Sequence, residues 1–400
     1  MALSRPFFQE SYQLCAVRFV QKSSRIANGC PPMPKILLST TVRWPSAARL
    51  AGALSESGCE VDALFPDNHP LAASRYPVRR HAYRALAPLR SLRAAIEASK
   101  PYLVVACDDR AVAHLRDLYA KTPLPCIERS LGDPSRYEAF ASRSGFVTAA
   151  REAGIAAPET VSVDDEATLD FAIRMMGLPA VLKSDGSWGG DGVAVVQTAA
   201  EAKAAWRKMT ARPSRLRGLV RAIRRGDAHH LLKYARPSVC LQRYIPGTPA
   251  TTSFVCRDGQ VLAANHFDVV ATKGAAGPAS VVRRIDDSTM EDAARRLAAR
   301  FRLSGLHGLD YVRDKAGKPH LIEINPRATQ TSHLSFGTGR DLCAALAGTQ
   351  QRRAIPGREV ALFPQEWSRD RASPWLKAAH HDVPWDDPRV IDRCLTGATP

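Results

Sequence analysis

GLDYVRDKAGKPHLIEINPRAT, residues 308–329, holds two alternating runs joined by a polar turn. Gly308 to Val312 and His320 to Asn325 read as strands, and Arg313-Asp314-Lys315-Ala316-Gly317-Lys318 between them has the composition of a hairpin connection. If the turn is centred between Ala316 and Gly317, Asp310 falls directly opposite Glu323. The period-two alternation of a strand then puts Asn325 on the same face as Glu323. Two carboxylates facing each other across a sheet repel unless a cation or a basic group stands between them. Mg2+ takes oxygen ligands at about 2.0 to 2.1 Å and is normally held by one or two carboxylates plus substrate phosphates, which fits Asp310, Glu323 and Asn325; Mn2+ accepts the same donors. Taken alone, E-x-N on a strand is an ordinary surface feature. The opposed Asp310 and the following Pro326-Arg327 set this one apart.

Upstream, Val181-Leu182-Lys183 ends an apolar run, and Ser184-Asp185-Gly186-Ser187-Trp188-Gly189-Gly190-Asp191-Gly192 leads into Val193-Ala194-Val195-Val196. Four glycines between two strands let backbone N–H groups turn toward one point and cradle an anion, with Lys183 adding a movable positive charge. A flexible turn is the plain alternative. The lysine precedes the glycines, so this is not the G-x-x-x-x-G-K-[ST] phosphate loop.

Further out, residues 35 to 128 alternate short apolar runs (Ile36 to Ser39, Val61 to Phe65, Tyr102 to Ala106) with helical stretches (Ser46 to Ser57, Leu89 to Ala98), the pattern of a parallel sheet with both faces covered. No G-x-G-x-x-G follows the first run, which argues against a dinucleotide site. Asp108 and Asp109 stand at the carboxyl end of the third run, where open α/β sheets bind ligands; a helix cap is the competing role. One helix is expected from Pro134 to Ala153, closed by Gly154. Short strands follow at Ala180 to Lys183, Val193 to Val196, Val239 to Tyr244, Thr252 to Cys256 and Val261 to His266, then a helix from Met290 to Phe301. Residues 1 to 32 end in the breaker cluster Asn28-Gly29-Cys30-Pro31-Pro32 and read as a disordered extension or an overlong start.

The 400 residues, 45% hydrophobic, support two or three packed units. There is no apolar run of about eighteen residues and no secretory pattern at the start, so a cytoplasmic protein without a membrane span is expected. Nine cysteines without a C-x-x-C pair fit reduced thiols. A net charge of +17 attracts phosphates, anionic substrates, nucleic acid or acidic surfaces without choosing among them, and genomic arginine bias is the bland alternative.

Together these residues resemble the ATP-grasp superfamily, in particular its carbamoyl phosphate synthetase and biotin carboxylase branch with the carboxylate-amine ligase relatives. The likeness runs from about residue 35 to 350 and is strongest at LPAVLKSDGSWGGDGVAVV (178–196) and at 308–329. It implies a mixed α/β and α+β chain: a Rossmann-like parallel sheet domain at 33–130, then a two-lobed ATP-grasp domain at 131–350 with a small lid lobe at about 158–240 and a large lobe at about 241–350, and a C-terminal tail at 351–400. It also implies that Lys183 contacts the ATP phosphates, that the loop with Gly189, Gly190 and Gly192 closes over them, and that Arg143 is the second basic phosphate contact, a plain surface arginine being the alternative. The adenine linker matches Leu241-Gln242-Arg243-Tyr244-Ile245-Pro246-Gly247, with Gln242, Tyr244 and Ile245 at the base. Arg327 matches the arginine that steadies the reacting carboxyl or acyl phosphate, catalytic together with Lys183; a structural salt bridge is its other reading. Relatives often carry a ribose-binding glutamate just past the linker, where this chain reads Gly247-Thr248-Pro249-Ala250-Thr251.

The implied activity is ATP-dependent ligation, in which a carboxylate becomes an acyl phosphate that an amine then attacks. Such chemistry needs positioning and charge neutralisation but no nucleophilic side chain, so Cys240, Cys256, His307 and His333 are assigned structural roles. Substrate contacts are expected from His266 to Arg284 and from Thr329-Gln330-Thr331-Ser332-His333, ordinary connections being the alternative for both. The basic stretch 212–236 reads as a solvated helix face, or as a seat for an anionic partner; nucleic acid is disfavoured there because Tyr234 is its lone aromatic residue. Small-molecule partners and a homodimer complete the expectation. Bicarbonate-dependent carboxylation and non-catalytic nucleotide or nucleic-acid binding are the competing functions.

Overall fold

The computed structural model describes residues 34–140, 142–185, 192–211, 238–274 and 277–396. The expected extension 1–32, Gly189, Gly190 and the basic stretch 212–236 lie outside the described residues.

The first sheet holds β1 (Lys35–Ser39), β2 (Glu60–Phe65), β3 (Arg80–Ala82) and β4 (Leu103–Ala106) in the order β3-β2-β1-β4, all parallel. Alternate residues explain why. Ile36, Leu38, Val61 and Val105 enter one apolar cluster with Leu50 and Leu54 of the helix Ser46–Glu56. Leu37, Leu64 and Val104 enter another with Leu92 and Leu115. Both faces are therefore dry, as the unbroken apolar runs require. β3 was not expected, being three residues long with exposed ends.

The second sheet is small: β5 (Thr160–Ser162), β6 (Ala180–Ser184), β7 (Val193–Val196) and β8 (Val239–Arg243), in the order β5-β8-β6-β7 and antiparallel throughout. The helices Glu166–Met176 and Ala199–Thr210 cover it through Leu169, Ala172, Ala202 and Trp206, packed on Leu182 and Leu241.

The third and largest sheet is formed by β9 (Gly247–Arg257), β10 (Gln260–Thr272), β11 (Ala279–Ile285), β12 (Gly305–Asp314), β13 (Pro319–Asn325), β14 (Glu359–Leu362) and β15 (His380–Asp382). Its order is β13-β12-β9-β10-β11-β14-β15, antiparallel except for the last pair. Phe146 of the helix Arg143–Glu152 and Leu297 of the helix Ser288–Phe301 pack on Phe254 and Leu309 on one face. Val255, Ala263 and Leu306 face the cluster of the first sheet on the other. Residues past 350, expected as a tail, contribute β14 and β15 to this sheet.

The single helix expected from Pro134 to Ala153 is two pieces, a 3-10 turn at Pro134–Phe140 and the helix Arg143–Glu152. Ser142 makes the second start by accepting the Gly145 N–H at 3.1 Å. Gly154, at φ +73°, closes it as expected.

Candidate active site

β12 and β13 put Asp310 directly opposite Glu323 and Gly308 opposite Asn325. The route to that register differs from the simple expectation. Beside the turn, Arg313 faces Pro319 and Tyr311 faces Leu321, a turn centred on Ala316; an extra residue, Ile322, bulges out and restores the Asp310–Glu323 pairing. Without the bulge Asp310 would meet an isoleucine.

The three side chains converge. Asn325 Nδ2 donates to Asp310 Oδ2 at 2.8 Å, and Thr251 Oγ1 on the neighbouring β9 donates to Asp310 Oδ1 at 2.9 Å. Burial, and then the nearby Glu323 charge, push the Asp310 carboxyl above its usual range in spite of these donors. Glu323 accepts from Arg143 Nη2 at 3.0 Å and Nε at 3.3 Å. A basic group therefore stands beside the carboxylate pair.

Arg143 opens its helix and reaches both the second sheet and the third. Its Nη1 donates to the Ser184 carbonyl, and its backbone N–H reaches Asp185 Oδ1 at 3.3 Å. Lys183 lies on β6, 5% exposed, across from Val193 and Cys240. Burial lowers its pKa, with Glu323 and Asp310 pulling it back up and Arg143 adding to the fall. Lysine and carboxylates thus share one electrostatic neighbourhood, although they come from different sheets. No hydrogen bond or ion pair joins the lysine ammonium to another described residue. Gly192, at φ +79°, closes the β6–β7 connection by accepting the Ser184 N–H at 2.8 Å.

Arg327 connects the site to the first sheet. Its Nη2 donates to Asn325 Oδ1 at 2.9 Å and its Nε to Asp109 Oδ1 at 2.9 Å, while Ala328 N–H bonds the Ala106 carbonyl at 3.0 Å. The two aspartates at the end of β4 divide the roles weighed for them. Asp108 caps the helix Asp109–Lys121 through Ala111 N–H at 2.9 Å and also holds Thr41, whereas Asp109 turns to the arginine.

Other expected residues sit elsewhere. The Gln242 side chain is buried in the second sheet, donating to Thr160 Oγ1 at 3.0 Å, and its backbone lies within β8, between β5 and β6. Tyr244 is 38% exposed and Ile245 partly buried in the connection from β8 to β9. Cys240 and Cys256 are buried thiols with raised pKa values, His307 Nε2 donates to the Ser304 carbonyl at 2.8 Å, and His333 pairs with Asp382. Of the segments expected to touch substrate, 266–272 and 279–284 are strand, and His266 is buried against Thr252 and Glu291. Thr329 and Thr331 bond Ser253 at 2.7 and 2.5 Å, which makes their hydroxyls packing contacts. Thr251 and Asp185 were missed. Asp185 lies inside the glycine-rich loop motif but was given no role of its own, and Thr251 is reachable from sequence only through the β9–β12 register.

A family model described as the ATP-grasp domain matches residues 146–331, a span holding Lys183, the linker, Asp310, Glu323, Asn325 and Arg327. Among curated proteins, the formate-dependent phosphoribosylglycinamide formyltransferase of Burkholderia vietnamiensis (strain G4 / LMG 22486) is 29% identical over 155 residues, 38% of this chain and 37% of that relative's length. Among solved structures, the biotin carboxylase–βγ-ATP complex from Campylobacter jejuni superposes with a TM-score of 0.57 at 14% identity, covering 81% of this chain and 72% of that one. The L-amino acid ligase from Bacillus licheniformis does so with a TM-score of 0.53 at 16% identity, covering 85% and 77%. Residues 146–331 therefore match the ATP-grasp domain model, and the fold is shared with these two enzymes.

Proposed function

We propose that this chain is a Mg-ATP-dependent ligase that activates a carboxylate as an acyl phosphate and joins it to an amine. The observation that carries the reading is the convergence of Asp310, Glu323 and Asn325 on one face of a hairpin, with Arg143 and Lys183 beside it and Arg327 behind. Two opposed carboxylates, one with its ionisation disfavoured by burial and then by the other, are a donor set that a hard divalent cation fits. Asp310, Glu323 and Asn325 would hold Mg2+ there. Bound, it would neutralise and align the phosphates of ATP.

The chain's own groups supply the rest. Lys183, poorly solvated, is attracted to phosphate oxygens, and Arg143 can exchange Glu323 for the same anion. The segment around 158–240, as a lid lobe over a large lobe at 241–350, would exclude water from the reacting groups. Arg327 presents a planar fork to the substrate carboxylate. The carboxylate oxygen attacks the γ-phosphorus and ADP departs. The amine nitrogen then attacks the acyl carbon, phosphate leaves, and the amine gives up a proton. The similarity to a formate-dependent enzyme, a biotin carboxylase and an amino acid ligase supports carboxylate activation without choosing the carboxylate. No described helix is long and apolar enough to cross a membrane, which accords with a cytoplasmic enzyme acting on small molecules, alone or as a homodimer.

A screen of formate, bicarbonate and amino acids, each with and without amine acceptors, is expected to find ADP release that needs Mg2+. Glu323→Ala is expected to lose at least about a hundredfold of it while keeping a wild-type circular dichroism spectrum. Undiminished release from a folded Glu323→Ala would refute the site.

A further inference from the structure

The side-chain amide of Asn325 has its orientation fixed by its neighbours. A guanidinium only donates, so the atom 2.9 Å from Arg327 Nη2 is the oxygen, and the NH2 end is turned to Asp310 at 2.8 Å. The oxygen therefore faces away from Asp310. To give that oxygen to a cation beside Asp310 the amide has to turn over, and it would then present its NH2 to Arg327, donor against donor. Ligation by Asn325 and the present position of Arg327 exclude each other. Arg327 is retained there by Asp109, 2.9 Å away at the end of the first sheet.

Resting on the ligase reading, we infer that Asn325 is a two-position ligand whose position is set by Arg327 and Asp109. With Arg327 on Asn325, the cation seat consists of the two carboxylates alone. A carboxylate substrate that draws Arg327 onto itself frees the amide to turn and complete the seat. Cation and carboxylate then bind with positive coupling, and by linkage each tightens the other equally. Arg327 is in this respect a positioning residue for Asn325, and Asp109 one for Arg327.

The test is Mn2+ binding to the full chain, followed by the electron paramagnetic resonance of free Mn2+ in the presence of a non-hydrolysable ATP analogue, so that no turnover enters. Arg327→Met is expected to tighten Mn2+ by at least about threefold, the worth of one hydrogen bond, and Asn325→Ala in the same background to abolish that gain. A mere loss of positive charge would give the gain whether or not Asn325 is present, and that result, or no gain at all, overturns the inference. If Arg327→Met does not fold, Asp109→Asn replaces it. It loosens Arg327 while removing a negative charge, so charge alone predicts weaker Mn2+ binding and the inference predicts tighter. A wild-type chain that binds neither Mn2+ nor the nucleotide analogue overturns the ligase reading; one that binds both, with Mn2+ affinity indifferent to these substitutions, overturns the two-position ligand alone.

Discussion

Asp310 and Lys183 are both held against their own ionisation, and the consequences for stability run in opposite directions with pH. Burial and Glu323 raise the Asp310 pKa, so its ionised form weighs against folding above that pKa, and the penalty is absent in acid where folded and unfolded chains are both protonated. Asp310→Asn is expected to stabilise the ligand-free protein by about 1 kcal/mol at neutral pH, a gain that disappears below the ordinary carboxylate range. Lys183 has the lowered pKa of a buried ammonium, so its penalty is full below its folded-state pKa and fades as pH rises from there toward the ordinary lysine range. Lys183→Met is expected to stabilise by a similar amount, about 1 kcal/mol, with the gain narrowing in alkali. Both variants are expected to lose turnover. Urea melts across pH check the signs; a site whose charges were structural would instead be weakened by either substitution. The same residues explain what was legible. Lys183, Asp310, Glu323 and Asn325 announce themselves by type and spacing, whereas Thr251 and Asp185 act only through contacts made by strand pairing and by the start of a distant helix.

At the scale of elements, the β12–β13 hairpin could be read because its alternation and its turn residues agree. The pairing of Asp310 with Glu323 was reached by assuming a turn one half-step from its real centre, and the bulge at Ile322 compensated. Strands of three or four residues such as β3, β5, β14 and β15 were not legible, since their pairing is decided by neighbours in space. The break before Arg143 was missed because Ser142 as a cap outweighs the helical pattern on either side. Gly308 shows how an element fixes the loop after it: a Cβ there would sit 2.3 Å from Thr329 Cγ2. Gly308→Ala is expected to destabilise the fold by about 1 to 3 kcal/mol. Thr329→Ser, which lacks the offending methyl but keeps the hydroxyl bonded to Ser253, should recover most of that in the double variant. Thermal melts of the two singles and the double measure it; additive losses would contradict the contact.

For the whole molecule, the C-terminal segment joins the first sheet to the loop that follows the site. Asp382 of β15 accepts from Arg49 at 2.6 Å and pairs with His333 at 2.7 Å, buried from solvent. Its carboxyl is held well below the usual range by these two partners against the effect of burial. The stability it contributes is present above the ordinary carboxylate pKa and is lost as pH falls below it. Asp382→Asn is expected to cost about 3 kcal/mol at neutral pH, with the loss shrinking in acid, because it leaves Arg49 buried without its counter-charge. Chemical denaturation at several pH values tests this, and a loss independent of pH would contradict it. The central claim concerns the seat between β12 and β13, and anomalous diffraction from crystals grown with Mn2+ and an ATP analogue tests it most directly. The account predicts a manganese peak at about 2.0 to 2.3 Å from carboxylate oxygens of both Asp310 and Glu323, with the phosphates reaching Lys183. A nucleotide bound with its metal away from those two side chains would contradict it.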